Sequence, residues 1–177
     1  MEKLKHSHGV TIQWRSYELR PPGAPPVPPE YRARIEAGRP RLYAIAQDQY
    51  GLALNVGPFG IDSRPALIGA KFAEEQGVGE AYHDAVFRAY WLEAKDISEL
   101  AVLAEAATAV SLDPNEFLAA LTNPHYQAEM QADVEQAYAY GLSGVPALVY
   151  NNKYLVSGAQ PYEVLAEVAE KAQADND

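Results

Sequence analysis

Apolar and polar positions alternate near the start of the chain. Val10, Ile12 and Trp14 are interleaved with Thr11, Gln13 and Arg15, which predicts a half-buried strand over Val10–Leu19 with the apolar set inward. Tyr17 and Leu19 continue the alternation on the opposite phase, so a bulge or twist is expected near Ser16. The proline-rich run Pro21–Pro29 ends the strand. It reads as a surface polyproline-like connector rather than as an SH3 or WW ligand.

From Glu30 to about Gly141 the pattern becomes helical. Tyr31 to Glu36 predicts a short helical turn, and Pro40 starts a helix to Tyr50 with Leu42, Ile45 and Ala46 inward. Asn55 to Ile61 is a loop. Asp62 or Ser63 is expected to cap a helix running to Gln76 and stopped by Gly77. The next helix, Glu80 to Leu92, places Tyr82, Val86, Phe87, Tyr90 and Trp91 on one broad apolar face. Ser98 is expected to cap a helix to Ala109, Asp113-Pro114 to open a short one, and Asn123-Pro124 to open a last one ending at Gly141. No segment repeats at fixed period, so a helical solenoid is not supported.

The C-terminal third changes character. Ala147–Tyr150 and Tyr154–Ser157 read as two strands joined by Asn151-Asn152, a pair that tolerates positive φ. Pro161 then begins a helix with Val164, Leu165 and Val168 apolar, and a frayed tail is expected over Gln173–Asp177.

Composition narrows the function classes. At 177 residues the chain can bury a sizeable core without disulfides or metals. With 48% hydrophobic and 21% charged residues and a mean hydropathy of −0.27, it has the composition of a soluble protein. No apolar run approaches the roughly 18 residues that span a bilayer. Residues Met1–His8 lack the apolar region of a signal peptide, so a cytoplasmic protein with no membrane partner is expected. The net charge of −10, without a Lys/Arg stripe, argues against nucleic acid as a partner. The absence of cysteine excludes disulfides, dithiol redox chemistry and thiolate metal sites within this sequence. No cofactor and no metal site are expected.

Three strings carry a resemblance to a known family. They are Trp14-Arg15-Ser16-Tyr17-Glu18-Leu19-Arg20-Pro21, then Phe87-Arg88-Ala89-Tyr90-Trp91 with Lys95-Asp96-Ile97-Ser98, and finally Gly144-Val145-Pro146 through Val156-Ser157-Gly158-Ala159-Gln160-Pro161. The chain resembles the FrnE-like branch of the DsbA-family thioredoxin-fold oxidoreductases, which is related to 2-hydroxychromene-2-carboxylate isomerase and kappa-class glutathione transferases. The resemblance implies an α/β fold, thioredoxin-like with a large all-helical insertion. Residues 1–29 and 141–177 would form the incomplete thioredoxin-like core and residues 30–140 the insertion. It also implies that the family's first strand and active-site helix, with its Cys-x-x-Cys motif, are absent, about 25 to 35 residues on the scale of one βα unit. Met1–Lys5 would then be the last turn of that helix. Val10–Leu19 would have to pair directly with Ala147–Tyr150 or a strand be borrowed from another copy, and the lost coverage favours a homodimer.

The family's activity is thiol–disulfide exchange, in which a low-pKa thiolate attacks a disulfide while a cis-proline loop holds the substrate. The resemblance implies that Gly144, Val145 and Pro146 bind substrate, with Pro146 cis, and that no catalytic residue is present. Ser63 and Arg64 would border the cleft, although capping alone explains Ser63. Glu18 reads as a solvent-facing carboxylate, with a buried one near the cleft as the sharper alternative. Implied partners are a thiol- or disulfide-bearing protein or peptide, or glutathione. A non-catalytic peptide-binding or scaffold derivative and a glutathione-dependent isomerase or transferase relative are the alternative functions. His6 and His8 read as solvated residues of a flexible start, and His83 and His125 as surface positions without a triad arrangement.

Overall fold

The computed structural model describes residues 1–175. Among them are eight helices and one two-stranded antiparallel sheet, a helix-rich α/β arrangement. The chain divides into two compact units, one made of Met1–Leu19 with Ala132–Asp177 and the other of Arg20–Gln131.

The first unit contains α1 (Glu2–His8), the C-terminal part of α7 (Pro124–Ala139), strands β1 (Ala147–Tyr150) and β2 (Tyr154–Ser157), and α8 (Tyr162–Ala174). The hairpin register pairs Ala147 with Ser157 and Tyr150 with Tyr154. Asn151 and Asn152 take φ of 49° and 55°, as their tolerance of positive φ predicts, and Lys153 N–H closes the turn on Tyr150 C=O. Helix α8 lies on the hairpin. Tyr150 OH donates to Leu165 C=O and Asn151 Nδ2 to Ala172 C=O.

Helix α1 packs on α8 through buried Leu4. Ser7 Oγ meets Tyr162 OH at 2.6 Å, and Lys3 Nζ sits 3.7 Å from the centre of the Tyr162 ring. The expected flexible start is therefore helical. His8 approaches Glu170 and its carbonyl accepts from Gln173 Nε2. At the other end α8 runs through Gln173 and Ala174 instead of fraying, held there by this bond and by Asn151 Nδ2 on Ala172 C=O; Asn176 and Asp177 lie outside the described residues.

The expected strand over Val10–Leu19 is not formed. Residues 9–18 have no ladder, and among the described residues β1 pairs with β2 alone, so direct pairing of this segment with Ala147–Tyr150 is overturned. Val10 and Ile12 are half-buried with Thr11 and Gln13 exposed, as expected, but the expected change of phase near Ser16 does not occur: Ser16 and Glu18 are buried, whereas Trp14 and Leu19 are exposed. The physical reason is a side chain that replaces the missing ladder: Asp133 on α7 accepts from Ser16 N–H at 2.9 Å and from Arg15 Nη1 at 2.8 Å.

The second unit holds α2 (Pro29–Tyr50), α3 (Arg64–Glu75), α4 (Gly79–Trp91), α5 (Leu100–Ala109), α6 (Pro114–Ala120) and the first turns of α7. Its core is aromatic. Phe72 meets Phe117 and Tyr126 edge-on at 6.2 and 5.6 Å between ring centres, and Tyr82 lies 5.4 Å from Phe117. Leu103 and Met130 are buried alongside. Gly69 makes this closeness possible, since a Cβ there would fall 2.6 Å from Phe117 Cζ and 2.7 Å from Tyr82 OH.

Several local expectations change in this unit. Helix α2 is continuous through Pro40, with Pro29 in its first turn. Pro40 removes one N–H from the ladder, but it does so where Glu36 is exposed and its carbonyl can take water. Of the residues expected inward, Ala46 is buried while Leu42 and Ile45 are exposed. Phe87 on α4 is likewise exposed and stacks on His83 at 4.3 Å. Asp113 caps α6 through Asn115 and Glu116 N–H, as its position before Pro114 predicts. Glu99, not Ser98, precedes α5, because the Ser98 hydroxyl is engaged by Asp96.

Candidate functional site at the proline turn

The site begins where α7 ends. Gly141, at φ 70°, closes the helix with its N–H on Tyr138 C=O, and Leu142 N–H returns to Ala137 C=O. Tyr17 binds this exit from the N-terminal segment. Its hydroxyl donates to Leu142 C=O at 3.4 Å and its ring meets Tyr138 edge-on at 6.3 Å. Sequence reasoning gave Tyr17 no part in the site, and the strand's change of phase at that residue was the only signal of it.

Gly144, Val145 and Pro146 follow. The Val145–Pro146 peptide bond is cis. Pro146 C=O accepts from Gly158 N–H at 2.8 Å, which ties the turn to the Ser157-Gly158-Ala159-Gln160 string at the end of β2. Gly158 has φ 77°, and Gln160 Nε2 donates to Ser157 C=O beside it. The two halves of the third family string are thus one structural unit.

Strand alternation fixes which backbone groups face outward. Pro146 opposite Gly158 is a hydrogen-bonded rung, so Leu148 and Tyr150 also point their amide groups toward β2. Ala147 and Val149 direct N–H and C=O to the other side, where no strand pairs among the described residues. Val145, 52% exposed, stands at the end of that edge. The arrangement can offer main-chain donors and acceptors and an apolar side chain to an extended ligand.

The other site candidates have different surroundings. Glu18 belongs to the same unit and is buried rather than solvent-facing. Ser63 and Arg64 lie in the helical unit, at the start of α3. Ser63 does not cap; Asp62 Oδ1 accepts from Arg64 N–H instead at 2.9 Å, because Ser63 itself takes helical φ and ψ. Among the described residues no cluster of three or more His, Asp or Glu side chains could hold a metal ion. With no cysteine in the sequence there is no thiolate to attack a disulfide.

A model of the DSBA-like thioredoxin domain matches residues 1–170. The chain belongs to this family. DsbA-like proteins act on thiol or disulfide substrates, and the helix-rich α/β fold is the thioredoxin-like DsbA fold. An uncharacterized protein of Bacillus subtilis, YwbO, is 26% identical over 170 residues, covering 94% of this chain and 82% of that protein. The thiol:disulfide interchange protein DsbA of Azotobacter vinelandii is 32% identical over 81 residues, 46% of this chain and 38% of its own length.

Among solved structures, a probable DsbA oxidoreductase of Streptomyces coelicolor superposes with a TM-score of 0.71 at 31% identity. That match covers 81% of this chain and 62% of the Streptomyces chain, less than two thirds of its length. A 2-hydroxychromene-2-carboxylate isomerase superposes with a TM-score of 0.81 over 99% of this chain and 87% of its own; at 20% identity that likeness is one of fold.

Proposed function

We propose that this DsbA-like chain holds an extended thiol- or disulfide-bearing polypeptide along β1 and the Gly144-Val145-Pro146 turn, and does not itself exchange the disulfide. The observation that carries the reading is the outward edge of β1, with the amide groups of Ala147 and Val149 directed away from β2 and Val145 exposed at its end. Added-strand binding uses such an edge, with main-chain hydrogen bonds supplying affinity and alternate side chains supplying selectivity. Attack on the disulfide would need a thiolate from outside this sequence. A cytoplasmic site of action is part of the proposal, and cell fractionation tests it.

The experiment measures binding of a labelled extended peptide containing one cysteine, alongside reduction of insulin disulfides. Peptide binding without turnover is expected, and Val145→Asp should weaken it about fivefold or more, equivalent to ~1 kcal/mol. Absence of peptide binding, or binding indifferent to Val145→Asp, would overturn the reading. Glutathione binding in place of peptide binding would favour a glutathione-dependent isomerase or transferase instead.

A further inference from the structure

Helix α2 carries a second pattern that its own unit does not use. Tyr31, Ile35, Gly38, Leu42, Ile45 and Gln49 follow one another at alternating steps of four and three residues, the spacing of a seam between two packed helices. Tyr31, Leu42 and Ile45 are 44%, 42% and 38% exposed, while Ala46, on a neighbouring face, is the helix's buried side chain. Gly38 lies mid-helix, where glycine is a poor choice, and nothing lies within 4 Å of where its Cβ would be. The seam therefore has an open socket at its centre.

The order of these residues selects the occupant. Ile35 and Ile45 lie equally far on either side of Pro40, as do Gly38 and Leu42. In an antiparallel pair about a two-fold axis near Pro40, Leu42 of each copy enters the Gly38 socket of the other, and Ile35 meets Ile45. Such self-complementarity is what an isologous contact requires.

Charge points the same way. The chain carries −10, yet α2 sets Arg32, Arg34, Arg39 and Arg41 against Glu30, Glu36 and Asp48, so acidic copies can approach here without bringing two acidic faces together. The same antiparallel pairing brings Arg34 of one copy near Asp48 of the other, while Arg41 faces its own counterpart near the axis and limits the affinity. We infer that α2 is the surface through which two copies of this chain associate, as an antiparallel helix pair centred on Gly38 and Leu42.

A pair of helices about 33 Å long gives an interface toward the small end of specific contacts, so a micromolar or weaker dimer is expected. Sedimentation equilibrium of the whole chain over roughly two decades of concentration spanning that range reads it. Added salt should strengthen the dimer by screening the two acidic bodies. Leu42→Glu and Ile45→Glu should each abolish association with helix content retained, and Gly38→Leu should do so by filling the socket. Tyr50→Glu, exposed and off the seam, should leave it unchanged.

Because the sequence has no cysteine, a mixture of Gly38→Cys and Leu42→Cys chains treated with a short bismaleimide should cross-link in preference to either alone. A monomer at every concentration overturns the inference, as does a dimer that survives Leu42→Glu with Ile45→Glu, or preferential cross-linking of Tyr31→Cys to itself. Capture of polyglutamate by a chain that never self-associates would also overturn it, marking the arginines as a site for an acidic partner.

Discussion

The carboxylate of Asp133 accepts the backbone N–H of Ser16 at 2.9 Å across 117 residues of chain. Its other oxygen takes Arg15 Nη1, and the acid is 97% withdrawn from solvent while the arginine is half-exposed. One side chain thus does for the N-terminal segment what a ladder would do for a strand. Replacing it with alanine leaves a buried amide unpaired. Asp133→Ala is expected to destabilise the protein by about 2–3 kcal/mol. Asp133→Asn, whose oxygen can still accept from Ser16, should cost less. Urea denaturation of the two variants checks the order.

The hairpin turn depends on two consecutive residues at positive φ. Asn152→Val places a β-branched side chain in the left-handed region and removes the acceptor for Tyr140 OH. A loss of about 2 kcal/mol is expected, seen as a lower midpoint of thermal unfolding.

In the helical unit, Tyr82 OH is buried with no hydrogen-bond partner among the described residues, and burial raises its pKa. Tyr82→Phe removes an unsatisfied hydroxyl from the aromatic core and should raise stability by about 1 kcal/mol. Gly69→Ala pushes a methyl group onto Phe117 and that hydroxyl and should lower it by about 1–3 kcal/mol. Opposite signs for neighbouring substitutions would establish that the strain lies in packing and not in the helix.

Partial burial of the ring lowers the pKa of His83 below its ordinary 6.5, against the opposing pull of Asp84 and Glu80. The unfolded chain therefore binds the proton more readily, and stability falls as pH drops from above 6.5 through the folded value. The ring is part-exposed, so the effect is small. His83→Gln should flatten the stability profile between about pH 7 and pH 5 relative to the parent protein, which denaturant titration at several pH values can show.

Elements whose ends are marked by local chemistry were legible in the sequence. Asp113-Pro114, the Asn151-Asn152 turn and the pairing of Gly144-Val145-Pro146 with the Gly158 string all rest on residues near one another in the chain. The misread elements depend on distant groups. Val10–Leu19 has a strand's alternation, but a strand also needs a partner, and no local pattern tells that Asp133 would take that place. Ser16 is buried for the same reason. Pro40 reads as the start of a helix, yet α2 runs through it, since the residue whose carbonyl loses its partner, Glu36, is exposed to water. Leu42 and Ile45 were read correctly as a helical stripe and incorrectly as core, since periodicity specifies a face and not what lies against it.

The bond from Gly158 N–H to Pro146 C=O makes the hairpin a zipper with one loose tooth. At the Tyr150 end two asparagines lock the backbone. At the Pro146 end the rung has a single hydrogen bond, because proline brings no donor to return. Fraying must therefore start beside Val145, so the part of the sheet that would greet a ligand is also the part most able to adjust to one.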